Sequence, residues 1–280
     1  IGAWVSYALG SENENLPAYV VLRTDSSLPT DGTRNWSNGF LPARHQGVHL
    51  RHTGGSPVLY LQPPTPESEK LKGLRLNLLR DLNAGHQSRH PALTVEIDAR
   101  IASYEMAGRM QLHAADALDV NRETAATHRM YGIGTPKTDS YGRRCLIARR
   151  LVERGVRYVQ IFVEGQIWDT HSKNAEGTKN CCAMTDLPIA GLLKDLKQRG
   201  MLDSTLVVWG GEFGRTPVSQ AGEGRDHHKQ GFSMWLAGGG VKGGQAYGAT
   251  DELGYHAVDR RVQVADLHAT MLHLLGLDHE

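Results

Sequence analysis

The sequence has few cysteines, no long apolar run and almost no net charge. Its three cysteines, two of them adjacent at Cys181 and Cys182, do not make a disulfide framework. No apolar run approaches the ~18 residues of a membrane-spanning helix, which excludes an integral membrane segment. Thirty-one Lys and Arg against 30 Asp and Glu give a net charge of +1, so bulk charge offers no case for nucleic-acid binding.

The 280 residues are 40% hydrophobic and 22% charged, as in ordinary globular proteins. A chain of this length forms one large domain or two small ones, and we expect a single domain over residues 1–280. Within it, residues 1–65 are predicted to be irregular, 66–135 a helical insertion and 136–280 an α/β core. Because the chain opens at Ile1 without an initiator Met or a signal region, and stops directly after a predicted helix, we expect it to be an internal piece of a longer protein.

Apolar periodicity predicts helices that alternate with short strands. Helices are predicted over residues 67–82, 92–112, 142–154, 185–200 and 267–275, and strands over 18–22, 156–163, 205–209 and 232–237. This alternation favours an α/β sandwich with a largely parallel sheet. The helix at 142–154 carries a band of arginines that is predicted to be a solvent-exposed face: Arg143, Arg144, Arg149, Arg150 and Arg154.

Three polar clusters lie beside predicted strands of the second half. They supply Asp169 and His171, then Glu212 and Arg215, and finally Asp226, His227 and His228. Ligands of open α/β sheets collect at the carboxyl ends of strands, where two of these clusters lie. The third cluster would lie near that edge if the strand after it runs antiparallel. The sequence therefore predicts that these side chains meet.

Carboxylates and imidazoles together suit a divalent metal, which we expect to be zinc, manganese, calcium or magnesium. Such a metal can polarise a phosphoryl or sulfuryl oxygen and lower the pKa of a bound water. Arg215 could hold an anionic oxygen bidentately. Structural interpretations remain open: Asp169 and His171 could cap a turn, and residues 226–228 could form a solvated loop.

Two further sequence features do not indicate another active site. The glycine-rich run at residues 238–244 lacks the Gly-Lys-Ser/Thr ending of a phosphate-binding loop and is predicted to be a turn-rich loop. No Gly-x-Ser-x-Gly elbow occurs, so an α/β-hydrolase triad has no support.

Several long motifs resemble the bacterial family catalogued as domain of unknown function 1501. They are the runs at residues 35–40, 168–171, 207–217, 224–228, 235–244 and 266–276. That family is grouped with the alkaline-phosphatase-like superfamily, which includes sulfatases and phosphodiesterases. The resemblance implies a three-layer α/β/α sandwich and a two-metal hydrolase, and it spans essentially the whole chain.

The resemblance also implies roles for individual residues. Asp169 and His171 match a first ligand pair, Glu212 matches the Asp of a second pair, and His227 or His228 matches a last His. Phe213 stands where the His of the second pair would be. The superfamily's nucleophile and its first Asp ligand would lie upstream of Ile1.

The sequence thus leads to a sulfatase- or phosphatase-like metal-dependent hydrolase of small-molecule or glycan esters. In this hypothesis Asp169, His171, Glu212, Asp226, His227 and His228 are metal ligands or support the ligands, and Arg215 contacts the anion. The alternative is a non-catalytic binding or structural module on the same fold, which Phe213 favours. Relatives often carry an export signal, so we expect a periplasmic or secreted protein.

Overall fold

The computed structural model describes residues 1–24, 28–51, 68–91, 94–219 and 221–279. Its α-helices are α1 (Gly2–Leu9), α2 (Glu69–Arg89), α3 (Thr94–Leu118), α4 (Ala125–Met130), α5 (Asp139–Glu153), α6 (Asn174–Gln198) and α7 (Val264–Leu274). Its strands are β1 (Tyr19–Leu22), β2 (Val48–Leu50), β3 (Tyr158–Ile161), β4 (Val207–Trp209), β5 (Gly214–Arg215), β6 (His227–His228), β7 (Trp235–Ala237), β8 (Ala249–Thr250) and β9 (Ala257–Asp259). The protein is α/β, as predicted.

Each predicted helix and strand has a counterpart, but α2, α3 and α6 extend well beyond their predicted bounds. Helix α2 begins after Ser68, whose side chain accepts a hydrogen bond from the Leu71 amide, and it continues past Gly85. Helix α6 begins at Asn174 rather than near 185 and passes through Pro188. Proline usually ends a helix because it lacks an N–H. Here Cys181, Thr185 and Pro188 form one buried face, so burial on both sides of the proline maintains the helix.

The chain forms two compact units, residues 1–125 with 143–165, and residues 126–142 with 166–280. In the first unit, β2, β1 and β3 make a parallel three-stranded sheet in that order. All four residues of β1 are buried, which is typical of a strand covered on both faces. Two of the three strands come from the first 65 residues, which the sequence predicted to be mainly irregular.

The arginines of α5 contradict the prediction of a solvent-exposed face. Arg144, Arg149 and Arg150 are buried. The Glu123 carboxylate lies 2.8 Å from Arg149 and also accepts a hydrogen bond from Arg150. Arg150 also donates a hydrogen bond to the carbonyl of Ala117 at 3.0 Å. The buried guanidinium groups are tolerated because a carboxylate and backbone carbonyls satisfy them.

The second unit contains antiparallel strand pairs rather than an extension of the parallel sheet. Strand β4 pairs with β7, with Trp209 opposite Trp235, which confirms the antiparallel orientation that the third cluster required. Strand β5 pairs with β6, and β8 pairs with β9. The run at 238–244 is a turn-rich loop, as predicted, with positive φ at Gly238, Gly239 and Gly240.

Within the described part of the chain, every helix is too short or too polar to cross a membrane. This agrees with the expectation of no membrane-spanning segment. The proline-rich run at residues 63–66, with which the predicted irregular section closes, lies outside the described residues.

Candidate metal centre

Two of the polar clusters meet because of how the antiparallel strands are paired. Residues after Trp209 and residues before Trp235 leave the β4–β7 pair at the same end, since these two residues are register partners. The chain beyond β4 forms β5, which pairs with β6 so that Arg215 lies opposite His227. The β5–β6 pair thus contributes Arg215 and His227 to the site.

Backbone contacts attach the remaining cluster, residues 168–171, to the segment before β6. The Arg225 amide donates to the Thr170 carbonyl at 2.9 Å. Gly224 is buried and lies so close to the His171 carbonyl that any Cβ would overlap that oxygen. Glycine is therefore required at 224, and its close approach brings His171 next to β6.

Three donor atoms converge at the junction of these segments. The Oδ1 atom of Asp169 lies 3.0 Å from Nε2 of His171 and 3.0 Å from Nε2 of His227. The two Nε2 atoms are 3.3 Å apart. Both imidazoles are about half exposed, at 50% and 52% of the side chain, so the group opens to solvent and a ligand can reach it.

This donor set fits a divalent transition metal. Two imidazole nitrogens and one carboxylate oxygen are the ligands of many zinc sites and of non-haem iron sites with open positions. The three atoms lie within 4.8 Å of one another, so a single ion could contact all of them after small side-chain adjustments. Asp169, His171 and His227 are accordingly the residues that would hold a metal.

Arg215 adds a positive charge to the same carboxylate. Its Nη1 atom lies 2.5 Å from Oδ1 of Asp169. Burial by itself would raise the pKa of Asp169, but the hydrogen bonds from Arg215 and His227 outweigh burial and hold the pKa below its usual range. Asp169 is therefore ionised at neutral pH, as a metal ligand must be.

Asp226 faces the other nitrogen of His171. Its Oδ1 atom lies 3.3 Å from Nδ1 of His171, on the opposite side of the ring from Asp169. The backbone of Asp226 is fixed by Thr216, whose amide donates to the Asp226 carbonyl at 2.9 Å and whose hydroxyl accepts from the Asp226 amide at 3.0 Å. A carboxylate in this position orients an imidazole and favours the tautomer with Nε2 free for a metal.

We expect Asp226→Asn to weaken metal binding about 10- to 100-fold, as loss of such a carboxylate does in metal sites. The measurement is calorimetric titration of the chain with Zn²⁺ or Mn²⁺. Asp259→Asn is the matched control, because Asp259 is an exposed acid paired with Arg260. Equal affinities of the Asp226 variant and the control would show that Asp226 does not position His171.

Two other predicted site residues lie elsewhere. Glu212 is exposed and is not part of the converging group. His228 is buried, and its Nε2 atom lies 2.5 Å from the carbonyl of Tyr255. It follows His227 directly on a strand, so the two side chains point to opposite faces. Their predicted role as ligands stays a prediction.

Phe213 occupies the space beside His227. The two ring centroids are 4.4 Å apart with an interplanar angle of 38°, and the Arg215 guanidinium lies 5.8 Å from the Phe213 centroid. The phenyl ring thus packs against a donor imidazole and the nearby cation. Of the residues that build this site, Gly224 and Thr216 were missed as contributors, although both lie in the motifs quoted from the sequence.

Comparison with known proteins bears on the whole chain. A family model described as "Protein of unknown function (DUF1501)" matches residues 1–280. The chain belongs to the DUF1501 family. No curated protein and no solved structure matches this DUF1501 chain.

Proposed function

We propose that this DUF1501 protein is a metal-dependent hydrolase of sulfate or phosphate esters, on a three-layer sandwich of the alkaline-phosphatase-like kind. The single observation that carries the proposal is the convergence of Asp169, His171 and His227 from separate segments, with Arg215 against the same carboxylate. A structural role alone would not require two half-exposed imidazoles to share one carboxylate oxygen.

The chemistry of the donor set supports a divalent cation at this point. When bound, such a cation would withdraw charge from a phosphoryl or sulfuryl oxygen and lower the pKa of a bound water. Asp169 supplies the anionic ligand atom, and His171 and His227 supply neutral nitrogens. The Asp226 carboxylate can accept a hydrogen bond from Nδ1–H of His171, which keeps Nε2 of that ring available as a ligand.

Arg215 supports an anionic substrate in particular. A guanidinium carries several N–H donors in a planar fork, and one of its nitrogens already contacts Asp169. The other donors can reach an oxygen of a tetrahedral anion held beside the carboxylate. The positive charge of Arg215 would also offset charge that develops on the transferring group.

The proposal is tested by metal titration followed by an activity assay. We expect the protein to bind Zn²⁺ or Mn²⁺ with one high-affinity site and to hydrolyse an aryl sulfate or aryl phosphate only when the metal is present. Chelation followed by re-addition of the metal should remove and restore the activity. A chain that recruits no divalent cation on titration would overturn the proposal.

Phe213 favours a second candidate, a module that binds sulfated or phosphorylated glycans without hydrolysis. Its ring covers one face of His227, and an aromatic ring beside a cation and imidazoles offers a surface on which a sugar can stack. Metal-dependent retention of a sulfated glycan by the protein, with no turnover of any ester, would favour this module over the hydrolase.

A further inference from the structure

Helix α2 has two apolar sides. One side packs against α3, where Leu76 lies close to Gly108 and Arg80 donates to Glu105 at 3.4 Å. The other side carries the four residues that we call the leucine stripe, which recur at spacings of three and four: Leu71, Leu74, Leu78 and Leu82. At about 100° of rotation per residue, the stripe lies roughly opposite the α3-facing side. Its members are 43–59% exposed.

The net charge of helix α2 is positive. Helix α2 contains five basic residues, Lys70, Lys72, Arg75, Arg80 and Arg89, against two acidic ones, Glu69 and Asp81, so its net charge is +3. The whole chain has a net charge of only +1, so the residues outside α2 together carry a net negative charge. Lys70 and Arg75 are exposed and flank the stripe, so a partner surface that complements α2 is anionic.

The area of the leucine stripe argues against a second copy of the chain as the partner. Even a large aromatic side chain covers only about 150–250 Å², so four half-exposed leucines offer at most roughly 500 Å². A stable interface needs about 800 Å² from each partner. Two α2 helices would also bring their net positive charges together. A bilayer surface has neither restriction, because leucines insert among lipid chains without matching a shaped partner.

We propose that α2 docks on an anionic lipid surface, with the leucine stripe inserted at the boundary of headgroups and acyl chains and the basic residues beside it contacting lipid phosphates. Basic amphipathic helices bind membranes in this way, lying in the plane of the interface without crossing it. This inference goes beyond the proposed hydrolase and does not depend on it. It would hold the protein at a membrane that no part of the described chain spans.

The leucine stripe is tested by co-sedimentation of the chain with vesicles of phosphatidylcholine, with and without phosphatidylglycerol. We expect binding to the anionic vesicles and a dissociation constant at least about tenfold higher for the double variant Leu74→Gln, Leu78→Gln. The control is the double variant Leu28→Gln, Leu253→Gln, which changes two exposed leucines outside α2 and should leave binding within about twofold. Circular dichroism checks that both variants keep their helices.

The contribution of the basic residues to vesicle binding is tested by the double variant Lys70→Gln, Arg75→Gln. Each basic residue near an anionic surface contributes enough that losing two should weaken binding about tenfold or more, and added salt should weaken it in the same direction. Failure of the folded wild-type chain to bind anionic vesicles overturns the proposal. So does equal binding by the leucine variant and its control, or a dimer in analytical ultracentrifugation that Leu74→Gln, Leu78→Gln dissociates.

Discussion

His227→Gln is expected to lower the affinity of the chain for Zn²⁺ or Mn²⁺ by about a hundredfold or more. The variant removes one of three converging donor atoms, and even loss of a residue that merely orients a ligand costs 10- to 100-fold. The thermal stability of the metal-free protein should change little, because the His227 side chain is 52% exposed. Titration calorimetry gives the affinity and scanning calorimetry gives the stability.

His256→Gln is the control for this prediction. His256 is also an exposed histidine beside a carboxylate, with its Nδ1 atom 3.3 Å from Asp251, but it lies outside the converging group. Its replacement should leave metal affinity unchanged. If His227→Gln and His256→Gln bind metal alike, the proposed centre is not where the ion binds.

Glu212 allows the sequence-based ligand set to be tested against the geometry. The resemblance to the alkaline-phosphatase-like enzymes implies that Glu212 is a ligand, whereas the structure places it outside the converging group. Titrating Glu212→Gln and His227→Gln with the metal ion therefore tests whether Glu212 or only the converging group binds it. A large loss for both variants would mean that the loop after β4 moves to bring Glu212 to the ion.

Glu123→Gln is expected to lower the free energy of unfolding by about 3 kcal/mol, the cost of leaving a buried charge without its counter-charge. Glu123 contacts Arg149 and Arg150, whose side chains are 1% and 5% exposed. A neutral amide cannot compensate the charge of Arg150, whose remaining partners include the backbone carbonyls of Ala117 and Asp116. Urea denaturation monitored by circular dichroism measures the change in the unfolding free energy.

Glu153→Gln is the matched control for Glu123→Gln. Glu153 also contacts Arg149, at 2.6 Å, but it is 35% exposed, and exposed pairs contribute only about 0–1 kcal/mol. A loss as large for Glu153→Gln as for Glu123→Gln would mean that burial does not set the cost.

The same carboxylate makes the first unit acid-sensitive. Burial alone would raise the pKa of Glu123, but hydrogen bonds from Arg149 and Arg150 outweigh it and lower the pKa below its ordinary value. A carboxyl group with a lowered folded pKa stabilises the protein above its unfolded pKa, near roughly 4.3 for Glu, and loses that contribution as the pH falls through the folded value. Wild type should therefore lose more stability than Glu123→Gln below about pH 4.3.

Local patterns in the sequence located the longer helices and strands β1, β3, β4 and β7, but not α1, α4 or the other short strands. Leucine spacing predicts α2, and the β-branched run at β1 predicts a strand, because both signals act between residues close together in the sequence. The pairing of strands was not accessible in this way. Strand β3 pairs with β1, which is more than 100 residues earlier in the chain. No local pattern in the sequence specifies such a partner.

The candidate site, too, could be predicted only in part from the sequence. Residue chemistry identified Asp169, His171, Asp226, His227 and Arg215, which the structure brings together. It could not separate His227 from His228, since the two are adjacent and only the β5–β6 register decides which one faces Asp169. Likewise, the arginines of α5 were predicted to be exposed because a charged band usually is. Their burial depends on Glu123 and on backbone carbonyls of other segments, such as Ala117 and Phe162, which the sequence of α5 does not specify.

The order of apolar and polar residues by itself determined the α/β class, the longer helices, strands β1, β3, β4 and β7, and the types of donor atoms near strand ends. Tertiary structure alone decided which donors share a point in space, because register, strand direction and the close approach of Gly224 to His171 depend on contacts between segments far apart in the chain. Propensity and periodicity depend on residues close together in the sequence, whereas a metal centre is formed by side chains that are far apart in the sequence.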